Sequence, residues 1–408
     1  MSILRASVYQ RRARDQRLRL TENGTFQISV FNDLHFAEDD EADDKTSEVM
    51  KSVLSSEIVQ LVVLNGDLIS GEATQRSNSS LYVDRIVAPL VDRGLPWAST
   101  YGNHDSEVNL DPEEIFHQET KYENSLTQRM VRNSTAGITN YYLPIFPHEG
   151  SNDNTPVFIL WFFDSQGGHY ATTENGDGKS RPRQNWVDDS VVEWFQTANA
   201  NLTSTYGQTI PSLAFVHIPV HAMRAFQKSG VNPINEPGIN GERVQEQGYD
   251  AESGYHSQDF PFISALLNTT GLTATFSGHD HDNDWCFKWD RKLSGLNVTG
   301  NGMNMCYGRH TGYGGYGEWA RGGRQILLDE RSLGDDMRTW IRMEDGSISS
   351  DVNLNATYGQ DRYGLAERRG INGEKVINGQ NGGLSPDYLG IISLWIFVFS
   401  GLISGFHL

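Results

Sequence analysis

Short apolar runs punctuate a mostly polar chain. Phe26–Phe31, Val59–Leu64, Trp97–Thr100, Val157–Phe163, Leu213–Val216 and Thr273–Phe276 have the length and composition of buried β-strands. Helical periodicity lies between several of them. Lys45–Ser56 places Val49, Val53 and Leu54 on one face, and Leu81–Asp92 and Trp186–Ala198 read as further amphipathic helices. Strand–helix–strand alternation predicts an α/β domain with parallel pairing. Thr21-Glu22-Asn23-Gly24 between Arg17–Leu20 and Phe26–Phe31 predicts a hairpin turn. Residues 106–155 and 222–258 are polar and irregular and predict long loops over the strand ends, where such loops shape substrate access. Phe287–Trp289 and Ile326–Leu328 are late strands. From Ser347 onward Asn and Gly dominate without periodicity. The predicted organisation is a basic N-terminal segment (1–17), one domain (18–345), an Asn/Gly-rich linker (346–385) and an apolar tail (386–408). No internal repeat is visible.

Composition narrows the function. The formal net charge is −19 and the pI about 5.0, which argues against a nucleic-acid partner, since backbone binders are basic. Two cysteines, Cys286 and Cys306, read as buried thiols or as a disulfide; their spacing is not that of a zinc finger. Sequons at Asn23, Asn78, Asn133, Asn201, Asn268, Asn297 and Asn355 favour a glycoprotein of the secretory pathway, the cell surface or the vacuole. The uncharged stretch Leu389–Phe406 leaves three readings open: a GPI-attachment signal behind Asn381-Gly382-Gly383, a C-terminal membrane anchor, or a buried helix. Membrane attachment through this tail is the expected partner contact. Met1–Leu20 is Arg-rich and lacks the apolar centre of a secretory signal. A GPI protein needs one, so the expectation is a start upstream of Met1 or a tail inserted after translation.

The chemistry sits in five polar clusters at the ends of the strands. Asp33 and His35, two apart, send a carboxylate and an imidazole to one face. Asp67, after Gly66, offers two oxygens that can bridge two metals. In Gly102-Asn103-His104-Asp105, the Asn103 amide can ligate without adding charge, while His104 points at the substrate; Asp105 orients it or merely shapes the turn. His217 is the next ligand candidate, with His221 as its competitor. His279 and His281 lie on one side of an extended segment. Taken singly, each cluster reads as a turn or a core residue. Taken together, in one order and most at strand ends, they read as a dinuclear metal site.

Asp-x-His, Gly-Asp, Gly-Asn-His-Asp, His and Gly-His-x-His, in this order, resemble the calcineurin-like metallophosphoesterase superfamily. The resemblance covers about residues 18–345. His217-Ile218-Pro219, Gly278-His279-Asp280-His281-Asp282-Asn283-Asp284 and Cys306-Tyr307-Gly308 through Gly315-Tyr316-Gly317 are similar to the fungal Dcr2-type phosphatases, relatives of small plant purple acid phosphatases. The resemblance implies two β-sheets packed together and flanked by helices, a four-layer sandwich in one α/β domain. It implies two divalent or mixed-valence ions (Mn, Fe or Zn), one held by Asp33, His35, Asp67 and His281, the other by Asp67, Asn103, His217 and His279. His104 would be the catalytic histidine. Three departures stand out. Ser70 occupies the place of the metal-binding tyrosine of coloured purple acid phosphatases, His310-Thr311 interrupts a Gly-rich stretch, and His221 is an extra imidazole. The expected activity is hydrolysis of a phosphomonoester, on a small molecule or a phosphoprotein, by a metal-bridging hydroxide. His104 would assist the leaving group. Phosphodiester or pyrophosphate cleavage suits the same centre, and an inactive metal-bound surface protein is the reading from another class. His169, Arg181 and His310 are loop candidates for substrate contact.

Overall fold

The apolar runs end up in two mixed sheets stacked face to face, with helices on both outer surfaces. The computed structural model describes residues 17–151, 153–171, 180–366 and 369–371. In chain order the elements begin with β1 (Leu18–Arg19), β2 (Thr25–Phe31), α1 (Asp40–Ser56), β3 (Leu61–Asn65), α2 (Tyr82–Val91), β4 (Trp97–Thr100) and α3 (Pro112–Glu119). β5 (Tyr141–Phe146), β6 (Phe158–Phe163), α4 (Asp189–Tyr206), β7 (Ser212–Val216), α5 (His221–Ser229) and the small hairpin β8 (Tyr249–Asp250) and β9 (Gly254–Tyr255) follow. The chain continues with α6 (Phe260–Asn268), β10 (Leu272–Ser277), β11 (Cys286–Trp289), β12 (Met303–Tyr307), β13 (Gly322–Asp329), β14 (Met337–Met343) and β15 (Ile348–Leu354). One sheet runs β1-β5-β6-β7-β10-β12-β11 and the other β15-β14-β13-β2-β3-β4.

Strand periodicity explains the layering. Phe26, Ile28 and Val30 of β2 and Leu61 and Val63 of β3 face Leu160, Phe162, Phe215 and Phe276 across the inter-sheet core. The alternate residues Val62, Leu64 and Trp97 face outward, where Val49 and Val53 of α1, Ile86 and Leu90 of α2 and Ile115 of α3 cover them. Phe195 of α4, Phe226 of α5 and Phe262 of α6 cover the other sheet over Trp161, Phe163 and Phe287. Each fully buried side chain of this size contributes about 1.5–3 kcal/mol. The helices have their own start signals. Asp39 caps α1, accepting from Glu41 N and Ala42 N, with Asp40, Glu41 and Asp43 in the first turn. Asp188 caps α4, and Gly207 ends it at φ 68°.

Parallel pairing of β2, β3 and β4 in one sheet, and of β6, β7 and β10 in the other, brings their C-terminal ends to one rim. That rim carries the polar clusters.

The structure departs from several expectations. The turn at Thr21–Gly24 forms, with Gly24 N bonded to Thr21 O at 2.9 Å, but it joins two sheets rather than a hairpin. Residues 106–155 are not all loop, because α3 lies there and β5 sits inside its sheet between β1 and β6. Residues 222–258 contain most of α5 and the β8–β9 hairpin. The linker expected from 346 begins instead with β15, which buries Ser349, Ser350, Val352 and Leu354 and pairs with β14. Helices α1 and α4 extend beyond the predicted segments. Cys286 and Cys306 are directly opposed on β11 and β12 and form a disulfide. Among the described residues no helix is long and apolar enough to cross a membrane. Leu389–Phe406 and the N-terminal segment 1–16 lie outside the described residues.

Candidate metal centre

Asp33 and His35 follow β2, Asp67 follows β3, Asn103 and His104 follow β4, His217 follows β7, and His279 and His281 follow β10. The backbone there is unusual. Asp33 (φ 55°), His35 (48°), Asp67 (50°) and His279 (75°) all adopt left-handed conformations that non-glycine residues avoid. Each costs about 1–3 kcal/mol, and such strain clusters at functional sites. The preceding glycines have a steric reason. A Cβ on Gly66 would lie 2.3 Å from His217 Nδ1, and one on Gly102 would lie 2.2 Å from Asp67 Oδ1. Only glycine lets the turns approach that closely.

The side chains converge. Asp33, His35 and His281 form one group of donor atoms, His35, Asp67 and His104 a second, and Asp67, His217 and His279 a third; within each, the atoms lie within 4.8 Å of one another. Asp67 belongs to two groups and so links them. His217 Nε2 is 3.0 Å from Asp67 Oδ2 and 3.9 Å from Asp33 Oδ1, and His281 Nε2 is 3.8 Å from Asp33 Oδ1. Backbone donors anchor one oxygen of each carboxylate: His104 N bonds Asp67 Oδ1, opposite the oxygen near His217, and His279 N bonds Asp33 Oδ1.

Hydrogen bonds on the far side of the rings aim each Nε2 inward. His281 Nδ1 donates to Tyr316 O (2.8 Å) and His217 Nδ1 to Asn65 O (2.9 Å), because a carbonyl can only accept. Ser70 Oγ donates to Glu38 Oε1 (2.6 Å), so His35 Nδ1 must donate to Ser70 Oγ (2.8 Å). Burial opposes the charge on Glu38, but bonds from His35 and Ser70 win and hold its pKa down to about 2. In neutral His35 and His281, both protons are therefore on Nδ1. Two Nε2 lone pairs then face each other at 3.1 Å. Two acceptors cannot hydrogen-bond; a cation between them removes the repulsion. Asn103 Oδ1 and His217 Nε2 are also buried without a hydrogen-bond partner. This donor set of imidazoles, carboxylates and an amide oxygen suits Zn, Mn or Fe. The residues fit a pair of metal ions.

Burial and mutual charge shift several ionisable groups of the cluster in both directions. Burial pushes Asp33 up to about 6. Burial works against ionised Asp67, but His217 and His104 hold it well below the ordinary carboxylate range. Burial lowers His279 to about 3, leaving a neutral donor. Burial also opposes protonation of His104 and His217, yet Asp67 raises them to about 10 and about 9, helped at His104 by Glu72.

The structure separates the sequence candidates. His217 enters the cluster; His221 does not, because its Nδ1 bonds Glu246 Oε1 at 3.0 Å and its ring stacks on Tyr255. Asp105 does not orient His104. Its oxygens accept from the backbone N–H groups of Leu68, Ile69 and Gly102, so it is the residue that shapes the turn. The partner of His104 Nδ1 is Glu72 at 2.6 Å, a residue the sequence reading missed. His169 pairs with Glu107, and Arg181 O accepts from Tyr170 N at 2.9 Å. A cavity of 170 Å³ opens beside His279 and Asn103, lined also by Asn185, Ile218, Gln245 and Tyr249. A larger one, of 340 Å³, lies at the opposite strand ends around Phe158, Leu272 and Leu354, away from the cluster.

Two packed sheets with a carboxylate-linked cluster of imidazoles at their shared rim define a metallophosphoesterase fold. The chain belongs to the calcineurin-like phosphoesterase family, whose model matches residues 26–283. It is 26% identical over 371 residues to the probable inactive purple acid phosphatase 29 of Arabidopsis thaliana, covering 83% of this chain and 87% of that protein. It is 29% identical over 347 residues to phosphatase DCR2 of Saccharomyces cerevisiae, covering 80% of this chain and 55% of that one. Among solved structures, a dimetal phosphatase from Danio rerio shares the fold. Its TM-score is 0.50 at 13% identity, covering 81% of this chain and 98% of that one.

Proposed function

We propose that the chain is a metal-dependent phosphatase that hydrolyses phosphomonoesters. The observation that carries this reading is the linked donor set around Asp67, with the facing lone pairs of His35 and His281. Asp33, His35, Asp67 and His281 would hold one ion, and Asp67, Asn103, His217 and His279 the other. When bound, two such ions acidify water and neutralise charge on a phosphoryl group. The side chains around them do the rest. His104 is one-third exposed and tied through Nδ1 to Glu72, which leaves Nε2 to donate a proton to the departing oxygen. Glu72 holds that ring and favours its protonated form. The strained turns keep the ligands in place before substrate arrives.

A second reading has a specific support: relatives such as the Arabidopsis protein are named probable inactive phosphatases. Turnover separates the two. Purified chain reconstituted with Mn, Zn or Fe should release phosphate from p-nitrophenyl phosphate faster than it cleaves bis(p-nitrophenyl) phosphate. Faster diester cleavage would replace the monoesterase reading, and bound metal with neither activity would favour the inactive one.

A further inference from the structure

The Gly-rich segment after β12 carries an imidazole that neither the fold nor the proposed reaction uses. His310 is 2% exposed, and both of its ring nitrogens are buried without a hydrogen-bond partner. A buried polar ring left with two unmet nitrogens is expensive and rare in folded proteins. Its position is not accidental to the chain path. Thr311 N bonds Asn32 O (3.0 Å), Gly312 N bonds Asp33 O (3.1 Å) and Asn32 N bonds Thr311 Oγ1 (3.3 Å), so this segment runs alongside the backbone that presents Asp33. These bonds set His310 against the first cluster. Its ring centroid is 3.9 Å from that of His281 and 6.4 Å from that of His35.

Those distances meet a simple bound. An imidazole ligating at a normal bond length of about 2.1 Å has its ring centre about 3.2 Å from the ion, so two imidazoles on one ion have centres at most about 6.5 Å apart. Both His310 distances fall inside it. His35 and His281, at 4.9 Å, do so as well. The unmet state of His310 is also that of Asn103 Oδ1, a donor assigned to the ions above.

We infer that His310 is a further imidazole ligand of the ion held by Asp33, His35 and His281. The inference rests on the dinuclear reading and extends it. The hydroxyl of Ser70 is committed to His35 Nδ1 and Glu38 and is not free to act as a further donor. His310 supplies a nitrogen donor to the first cluster from a different segment of the chain. The ion it favours is correspondingly softer, Zn or Co rather than Mg or Ca.

The experiment is cobalt titration of the full chain as wild type, His310→Ala and His310→Cys, with metal counted by elemental analysis and folding checked by circular dichroism. Wild type should bind two ions. His310→Ala should hold one of them at least about tenfold more weakly, the least that removal of a metal-site partner usually costs. His310→Cys should add a thiolate-to-cobalt charge-transfer band in the near ultraviolet, a signal that does not depend on turnover or on the alanine variant folding. Two ions in all three proteins, with unchanged affinity and no new band, would overturn the inference alone. A folded wild type without metal would overturn it together with the dinuclear reading.

Discussion

Two buried carboxylate clusters lie at opposite ends of the short segment from β4 to the His104 turn, and they are built for different purposes. Glu119, 1% exposed, accepts from Trp97 Nε1 (2.8 Å), Ser99 Oγ (2.6 Å), Tyr101 OH (2.9 Å) and Thr127 Oγ1 (2.6 Å). Every one of these donors is matched, and Trp97, Ser99 and Tyr101 lie on or next to the strand that delivers Asn103 and His104. The Asp33–Asp67 cluster is equally buried, but it leaves acceptors facing acceptors, orphaned atoms, and four residues in left-handed backbone conformations. The first cluster stabilises a scaffold. The second leaves these groups unmatched by the residues around them. A buried polar group with all its partners reads as structure, and one that the fold holds short of partners reads as a site.

Mutations can break this comparison, beginning with the largest effect. Asp67→Asn should leave a folded chain that retains neither ion and shows no turnover above background; two retained ions by elemental analysis would remove Asp67 from its linking role. His104→Ala should lower turnover on p-nitrophenyl phosphate by about 10²–10⁴-fold with metal content unchanged. A parallel loss of metal would make His104 structural. Glu119→Ala should act in the opposite register. It strands four buried donors, each costing about 1–3 kcal/mol when unmet, so the unfolding free energy from denaturant titration should fall by at least about 3 kcal/mol. Activity per folded molecule should be nearly unchanged. Glu72→Gln keeps a hydrogen-bonding group but removes the charge; turnover should drop by about tenfold or less, mainly in kcat, with the acidic group assigned to His104 in the pH profile moving down.

pH sharpens the same contrast. Asp105 (about 7), Asp280 (about 8) and Glu242 (about 9) are carboxyls raised mainly by burial, and His217 (about 9) and His104 (about 10) are imidazoles raised chiefly by Asp67. Between about pH 6.5 and 9 the folded metal-free chain therefore binds more protons than the unfolded one, which lowers stability as pH rises. The melting temperature of metal-free protein should fall across that window. Bound ions should flatten the slope by displacing the proton from His217. A metal-free melting temperature that rises over this range would contradict the charge assignments.

The clustered side chains were legible because each follows an apolar run, so strand prediction and motif reading reinforce each other at Asp33, Asp67 and His217. What surrounds them was not. Glu72 lies five residues after Asp67 in a short turn, and its partnership with His104 exists only once β3 and β4 pair. Asp105 shows the converse: adjacency in sequence put it beside His104, while folding turned it onto the backbone of the Asp67 turn. β5 was hidden by Pro144, which argues against an interior strand although its neighbours pair on both sides. β15 was hidden by Ser, Asp and Asn on a strand whose buried face is narrow. His310 was visible only as an interruption in a glycine-rich stretch; its unmet nitrogens are a property of the packed fold.

The central claim is that the rim cluster is completed by two metal ions and that these drive phosphate release. Elemental analysis of the purified full chain, with turnover measured on the same sample before and after chelation, tests it most directly. The account predicts about two ions per chain, phosphate release from p-nitrophenyl phosphate, loss of both on chelation and recovery on adding Zn, Mn or Fe back. A folded chain that binds no metal, or one whose turnover survives complete removal of metal, would contradict it.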